Sequence, residues 1–236
     1  VIACCTRIMV HGRHAAASLS ARFPAASAKL CVIPHGNWIS YYPQTTTRQA
    51  ARTKLGLEPT GHVFLFIGLC KPYKNLHGLV RTFRAMPGNA MLLIAGKFAD
   101  PQYHEQIRPL AQGDRRIRID AGFVADNAMQ DYLCACDAVV VPYLEVLTSG
   151  TAMMAMSFGR PVVSVASGFL KDVVAAPVGL LFDPDTPRGL EDALAALPTM
   201  QFDEQQILAH ARRFSFEEAA TLFIASLREG AKSAAW

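Results

Sequence analysis

Thr148, Ser149, Gly150 and Thr151 stand between a β-branched run, Val139 to Val141, which ends at Pro142, and a stretch, AMMAMSFG, that reads as a helix. A helix leaves its first amides unpaired, so a polar turn at that point can aim several N–H groups and two or three hydroxyls at one anion. That is the chemistry of a phosphate site. The same residues also make an ordinary Ser/Thr cap, which needs no ligand. A second cluster lies in IGLCKPYKN at 67 to 75, where Gly68 closes a strand, Lys71 and Lys74 follow, and Asn75 is expected to cap the next helix. Two ammonium groups there would neutralise a diphosphate, or would simply be solvated. In IAGKF, Gly96 and Lys97 follow a strand, and a glycine there either admits a ligand to the backbone or makes a turn. In DAGFVAD, Gly122 and Phe123 would line a planar group, the alternative being core packing of the Phe. In IPHGNW, His35 is placed to reach a cleft or to lie on a surface loop.

These clusters need a scaffold that brings them to one edge. Short apolar runs alternate with amphipathic stretches along the chain: CTRIMV, KLCVIP, HVFLFIG, AMLLIAG, RIRID, AVVVP, PVVSV and GLLFD read as strands. Helices are expected at 12–22, 45–55, 75–86, 101–112, 126–136, 149–158, 168–175 and 188–197. Near-continuous apolar strands separated by helices call for a parallel sheet covered on both faces. The fold class is therefore α/β, a doubly wound parallel sheet, and such sheets bind ligands at the carboxyl ends of their strands. Residues 35–198 are expected to form this domain. Residues 1–34 hold a strand, a helix and a strand that look like the end of a preceding domain, and Val1 in place of Met points to a fragment. Residues 199–236 should form helices able to pack back across a neighbouring domain, with Ser215 and Glu218 as a capping box.

Composition narrows the partners. The chain has 236 residues, 51% of them hydrophobic, and a net charge of +4. That balance mildly favours anionic ligands without marking a nucleic-acid binder, and RRIRI at 115 to 119 reads as a strand with outward arginines. Six cysteines, Cys4, Cys5, Cys31, Cys70, Cys134 and Cys136, form no CxxC pair and lie mostly in apolar runs, as expected of reduced, buried thiols in a cytoplasmic protein. No zinc-ligand spacing occurs, so no metal is expected, and the apolar runs are too short for a transmembrane segment. A nicotinamide enzyme would need G-x-G-x-x-G after an early strand, which neither GLCKPYKN nor SFGRPVV supplies.

The ordered set IPHG, LFIGLCKPYKN, LLIAGK, DAGFVADNAMQDYLCACDAVVVPY, LTSGTAMMAMSFGRPVV and GLLFDPD resembles the nucleotide-binding C-terminal half of a retaining GT4 glycosyltransferase of GT-B fold, in its LTSG-type subgroup. The resemblance covers residues 33 to 220. It implies hexosyl transfer from a nucleoside-diphosphate sugar to a saccharide or lipid-linked saccharide acceptor. That acceptor would be held by an N-terminal half that is mostly absent here. It also implies a cytoplasmic protein, peripheral at the inner membrane face when full length, with no metal and no other cofactor. By the same resemblance Lys74 and Lys71 act on the diphosphate, Lys71 replacing an arginine of G-x-x-R-P-Y-K-G and losing its bidentate fork. Gly68, Gly96 and Lys97 border the donor, Gly122, Phe123 and Val124 meet the nucleobase, and Glu145, Leu147, Thr148, Ser149, Gly150 and Thr151 form the donor loop.

The chain departs from the family in its carboxylates. Many members carry two glutamates in this region; the matching positions here are Val146 and Met154, with Glu145 one residue out of register. A thioether does not replace a carboxylate as acceptor for a ribose diol. Two alternatives stay open beside the transferase: a degenerate nucleotide-binding or docking module, and a GT-B epimerase or phosphorylase.

Overall fold

The computed structural model describes residues 2–174 and 176–234. Among the described residues, eight strands and ten α-helices alternate as the hydrophobic pattern requires. A short leading unit holds β1 (Ile8–Val10), α1 (Arg13–Arg22) and β2 (Leu30–Val32). The main domain then runs α2 (Arg48–Lys54), β3 (Val63–Ile67), α3 (Leu76–Ala85), β4 (Met91–Gly96), α4 (Pro101–Ala111), β5 (Ile117–Ala121), α5 (Met129–Ala135) and β6 (Ala138–Val141). It continues through α6 (Gly150–Ser157), β7 (Val162–Val165), α7 (Gly168–Val173), β8 (Gly179–Phe182) and α8 (Gly189–Ala196). Two terminal helices follow, α9 (Glu204–Arg212) and α10 (Phe216–Ala234). The expected end of the 168–175 helix at Ala175 falls outside the described residues.

The main sheet has six strands, all parallel, in the order β5-β4-β3-β6-β7-β8. Every residue of β3, β6 and β7 is buried, which is why these strands read as unbroken apolar runs. The chain starts the sheet at β3, builds outward through β4 and β5, then returns to the other side of β3 with β6. Between β3 and β6 the direction of winding reverses, and the crevice at the carboxyl ends of those two strands is where this architecture receives ligands.

Buried polar residues lock the frame beneath that crevice. The Arg52 side chain, 2% exposed, reaches from α2 to the start of the sheet, where Nη2 donates to Asp137 Oδ2 at 2.8 Å and Nε to the Ala135 carbonyl at 3.0 Å. The same Asp137 oxygen accepts from Val63 N at 2.8 Å, so one carboxylate fixes the starts of β3 and β6 together. Arg116 and Arg118, expected to point outward from β5, instead fold onto Asp114 and Asp120 at 2.7 Å each. No disulfide forms among the described residues, and of the six cysteines only Cys70 and Cys136 are fully buried, fewer than their apolar neighbours suggest.

The leading unit is a separate two-stranded parallel sheet, β1 on β2. It is tied to the main domain by His14, whose Nδ1 lies 2.8 Å from Asp172 Oδ1 on α7. The chain end returns to the same region: Asn37 N donates to the Phe214 carbonyl at 2.6 Å, and Phe216 packs on Trp38 with ring centroids 5.4 Å apart. Ser215 Oγ accepts from Glu218 N at 3.0 Å, the Ser half of the expected capping box. No helix among the described residues is long and apolar enough to cross a membrane.

Candidate functional site

The loop after β3 and the loop after β6 meet at the switch point. Leu144 N donates to the Tyr73 carbonyl at 2.8 Å, and the rings of Tyr73 and Tyr143 stand 5.9 Å apart, so the two loops are stitched by backbone and by side chain. Gly68, with φ of 117°, ends β3 between them. A Cβ on Gly68 would stand 3.5 Å from Lys74 Nζ and 3.7 Å from Thr151 Oγ1. The ammonium of one loop and a hydroxyl at the helix start of the other thus converge over a single glycine.

Lys74 is buried, 9% exposed, and not the solvated loop residue that its sequence context suggests. Its turn, Pro72–Lys74, folds it inward over Tyr143, whose ring centroid is 5.2 Å from Nζ. Among the described residues no carboxylate lies within ion-pair distance of that ammonium. Desolvation consequently lowers its pKa below the ordinary lysine value, and Lys71 pushes the same way. A desolvated cation without a counter-ion is costly, and an anionic ligand removes the cost. Lys71 itself is half-buried at the head of the turn. Asn75, expected to cap α3, occupies the N-cap position but with φ of 56° and no side-chain cap bond.

The LTSG turn is both a cap and an open donor set. Ser149, 3% exposed, is the N-cap of α6, and its Oγ accepts from Ala152 N at 3.2 Å. Thr148 Oγ1 is buried and makes no hydrogen bond. Tyr143 O–H donates to Thr151 Oγ1 at 3.4 Å, and burial raises the Tyr143 pKa, keeping the phenol protonated. Tyr143, for which no role was expected, forms the floor under Lys74. Gly150 has no left-handed φ, and a Cβ there would meet only His35 and Trp38 at 3.5 to 3.9 Å. Its glycine is therefore not demanded by backbone strain.

The other expected residues divide. The nearest neighbour of Gly96 is Gly68: a Cβ on Gly96 would overlap the Gly68 carbonyl oxygen, so this glycine serves the close approach of the chain to itself. Lys97 is exposed, and its carbonyl accepts from Cys70 N at 2.8 Å. Gly122, Phe123 and Val124 follow β5, separated from the switch point by β4; Phe123 is 81% exposed, which excludes a core role. Glu145 and Leu147 are exposed on the β6–α6 loop, Leu147 at 82%. Val146 is half-buried, and Met154 is in the core at 6% exposure, so neither acid position of the family pattern offers an acceptor. Among the described residues no group of three or more His, Cys, Asp or Glu is arranged to hold a metal ion.

A parallel sheet in this strand order, with a basic turn and a polar helix start at its switch point, defines a Rossmann-like α/β domain of the kind that forms one half of a GT-B enzyme. The model for the family described as glycosyl transferases group 1 matches residues 61–199, more than half of the chain, and the protein belongs to that family. A D-inositol 3-phosphate glycosyltransferase of Segniliparus rotundus is 28% identical over 97% of this chain and 53% of its own length. A GDP-mannose:glycolipid 4-beta-D-mannosyltransferase of Xanthomonas campestris is 32% identical over 42% of this chain and 29% of its own. Among solved structures, a glycosyltransferase of Rickettsia africae superposes with a TM-score of 0.82 at 13% identity, covering 96% of this chain and 64% of that one. The chain thus spans about half the length of the first of these relatives.

Proposed function

We propose that this chain supplies the donor-binding half of a retaining glycosyltransferase of the LTSG type. The complete protein would move a hexosyl group from a nucleoside-diphosphate sugar to a hydroxyl of a saccharide or lipid-linked saccharide. The observation that carries this reading is the convergence of buried, unpaired Lys74 with Thr151 over Gly68, beside the start of α6. As the bond from the anomeric carbon to the diphosphate breaks, negative charge grows on the departing phosphate, and stabilising it lowers the barrier. Lys74, the first amides of α6 and the Thr148 and Thr151 hydroxyls are the groups for that task, with Lys71 at the rim. No base is required of this half. The names of the two curated relatives, a D-inositol 3-phosphate glycosyltransferase and a glycolipid mannosyltransferase, support a hydroxyl acceptor.

With Val146 and Met154 in place of acids, the LTSG turn takes over donor recognition. The same substitutions favour the second reading, a degenerate module that docks to a partner. Calorimetric titration of the chain with GDP, UDP and ADP separates them. Saturable binding of one nucleotide is expected; no binding of any at millimolar concentration would leave the docking module.

A further inference from the structure

Resting on that donor site, we propose that His35 recognises the sugar of the bound donor by accepting a hydrogen bond from one of its hydroxyl groups at Nε2. The imidazole is held in an aromatic box. Its centroid lies 5.8 Å from His11, 6.0 Å from Trp38, 6.1 Å from Phe216 on α10 and 6.4 Å from Phe169 on α7. Nδ1 lies 2.7 Å from the Gly36 carbonyl oxygen, which can only accept, so Nδ1 carries a proton and, in the Nδ1–H tautomer that this bond selects, Nε2 presents a lone pair.

That lone-pair edge faces the first residue of α6. A Cβ on Gly150 would be 3.5 Å from Nε2 and 3.8 Å from Cε1. Trp38 secures the arrangement by donating Nε1–H to the Gly150 carbonyl at 3.2 Å. Nε2 has no hydrogen-bond partner among the described residues.

The polarity of the site selects the ligand group. The Lys74 ammonium and the unpaired amides of α6 are donors suited to phosphate, which only accepts. An imidazole lone pair repels a phosphate oxygen and accepts from an alcohol. Val146 and Met154 offer no acceptor on the β6–α6 side of the crevice, and Glu145 is turned to solvent. His35 is the acceptor facing the start of α6, and the missing Cβ of Gly150 leaves the space in front of it.

Calorimetry on the full chain compares each diphosphate with its sugar form: UDP with UDP-glucose, GDP with GDP-mannose, ADP with ADP-glucose. His35→Phe keeps a ring in the aromatic box and removes the acceptor; His35→Gln returns an acceptor near the Nε2 position. The preference of the wild type for the sugar form is expected to fall by about five-fold in His35→Phe, with diphosphate affinity held within about two-fold, and to be largely restored in His35→Gln. Gly150→Ala, which fills the space before Nε2 while leaving the imidazole itself in place, should also lose the preference. Equal weakening of diphosphate and sugar nucleotide in His35→Phe would overturn the proposal, as would an unchanged preference. A wild type that binds diphosphate without any sugar preference defeats the role of His35 alone, whereas one that binds no diphosphate defeats the donor site itself.

Discussion

The ammonium of Lys74 sits 5.2 Å from the centre of the Tyr143 ring, and the hydroxyl of that same tyrosine donates to Thr151 at 3.4 Å. One aromatic residue therefore supports both the cation and the alcohol that face Gly68. A π-face compensates a desolvated cation only in part, by about 0.5–2 kcal/mol.

Lys74→Met should therefore separate binding from folding. Loss of a charge-assisted contact to phosphate should weaken the preferred nucleotide by about ten-fold or more. Replacing a buried, unpaired charge by an apolar chain of similar length should leave the melting temperature equal or higher. Calorimetry and thermal unfolding on the same preparation read both outcomes.

The depressed pKa of Lys74 has a stability consequence with a definite sign. Between that lowered value and the ordinary 10.5, the unfolded chain keeps the proton while the folded chain has released it, so this residue makes stability rise with pH across the window. The wild type should gain on Lys74→Met as pH climbs toward 10.5 in denaturant melts, while its diphosphate affinity falls as the ammonium discharges. A stability difference independent of pH would mean that Lys74 is solvated.

Thr148 offers a test with a single atom pair. Its Oγ1 is buried without a partner, so Thr148→Val removes an unsatisfied hydroxyl at constant shape and should be neutral or stabilising by up to about 1 kcal/mol. If the hydroxyl serves the phosphate, the variant should bind diphosphate about five-fold more weakly.

Two glycines of the site should respond in opposite ways. Gly96→Ala drives a methyl into the Gly68 carbonyl and should cost about 3 kcal/mol in folding. Gly150→Val meets side chains at ordinary contact distances, so it should fold, yet lose most diphosphate binding because its branches cover the first amides of α6. Urea melts and calorimetry distinguish the two.

The central strands β3, β4, β6 and β7 were legible because burial on both faces forces apolar runs, a signal that needs no knowledge of tertiary structure. That the lysines after β3 and the hydroxyls after β6 would meet at one crevice was legible because both sit just past strand ends. The burial of Lys74 was not legible, since the ring beneath it belongs to Tyr143, on the other side of the switch point. Gly96 misled for the same reason: the atom that requires a glycine is the Gly68 carbonyl on the neighbouring strand. Arg116 and Arg118 were expected only to point outward, because the sequence does not reveal that their own neighbours, Asp114 and Asp120, pair with them.

The backbone bond from Leu144 to Tyr73 ties the two loops of the crevice to each other before any ligand arrives. A diphosphate entering between them would meet a socket already assembled, losing little to ordering the walls. Recognition at this point is then a matter of seating rather than of closure: association should follow a single kinetic phase, and the residence time of the nucleotide should be set by how firmly Lys74 and α6 hold it.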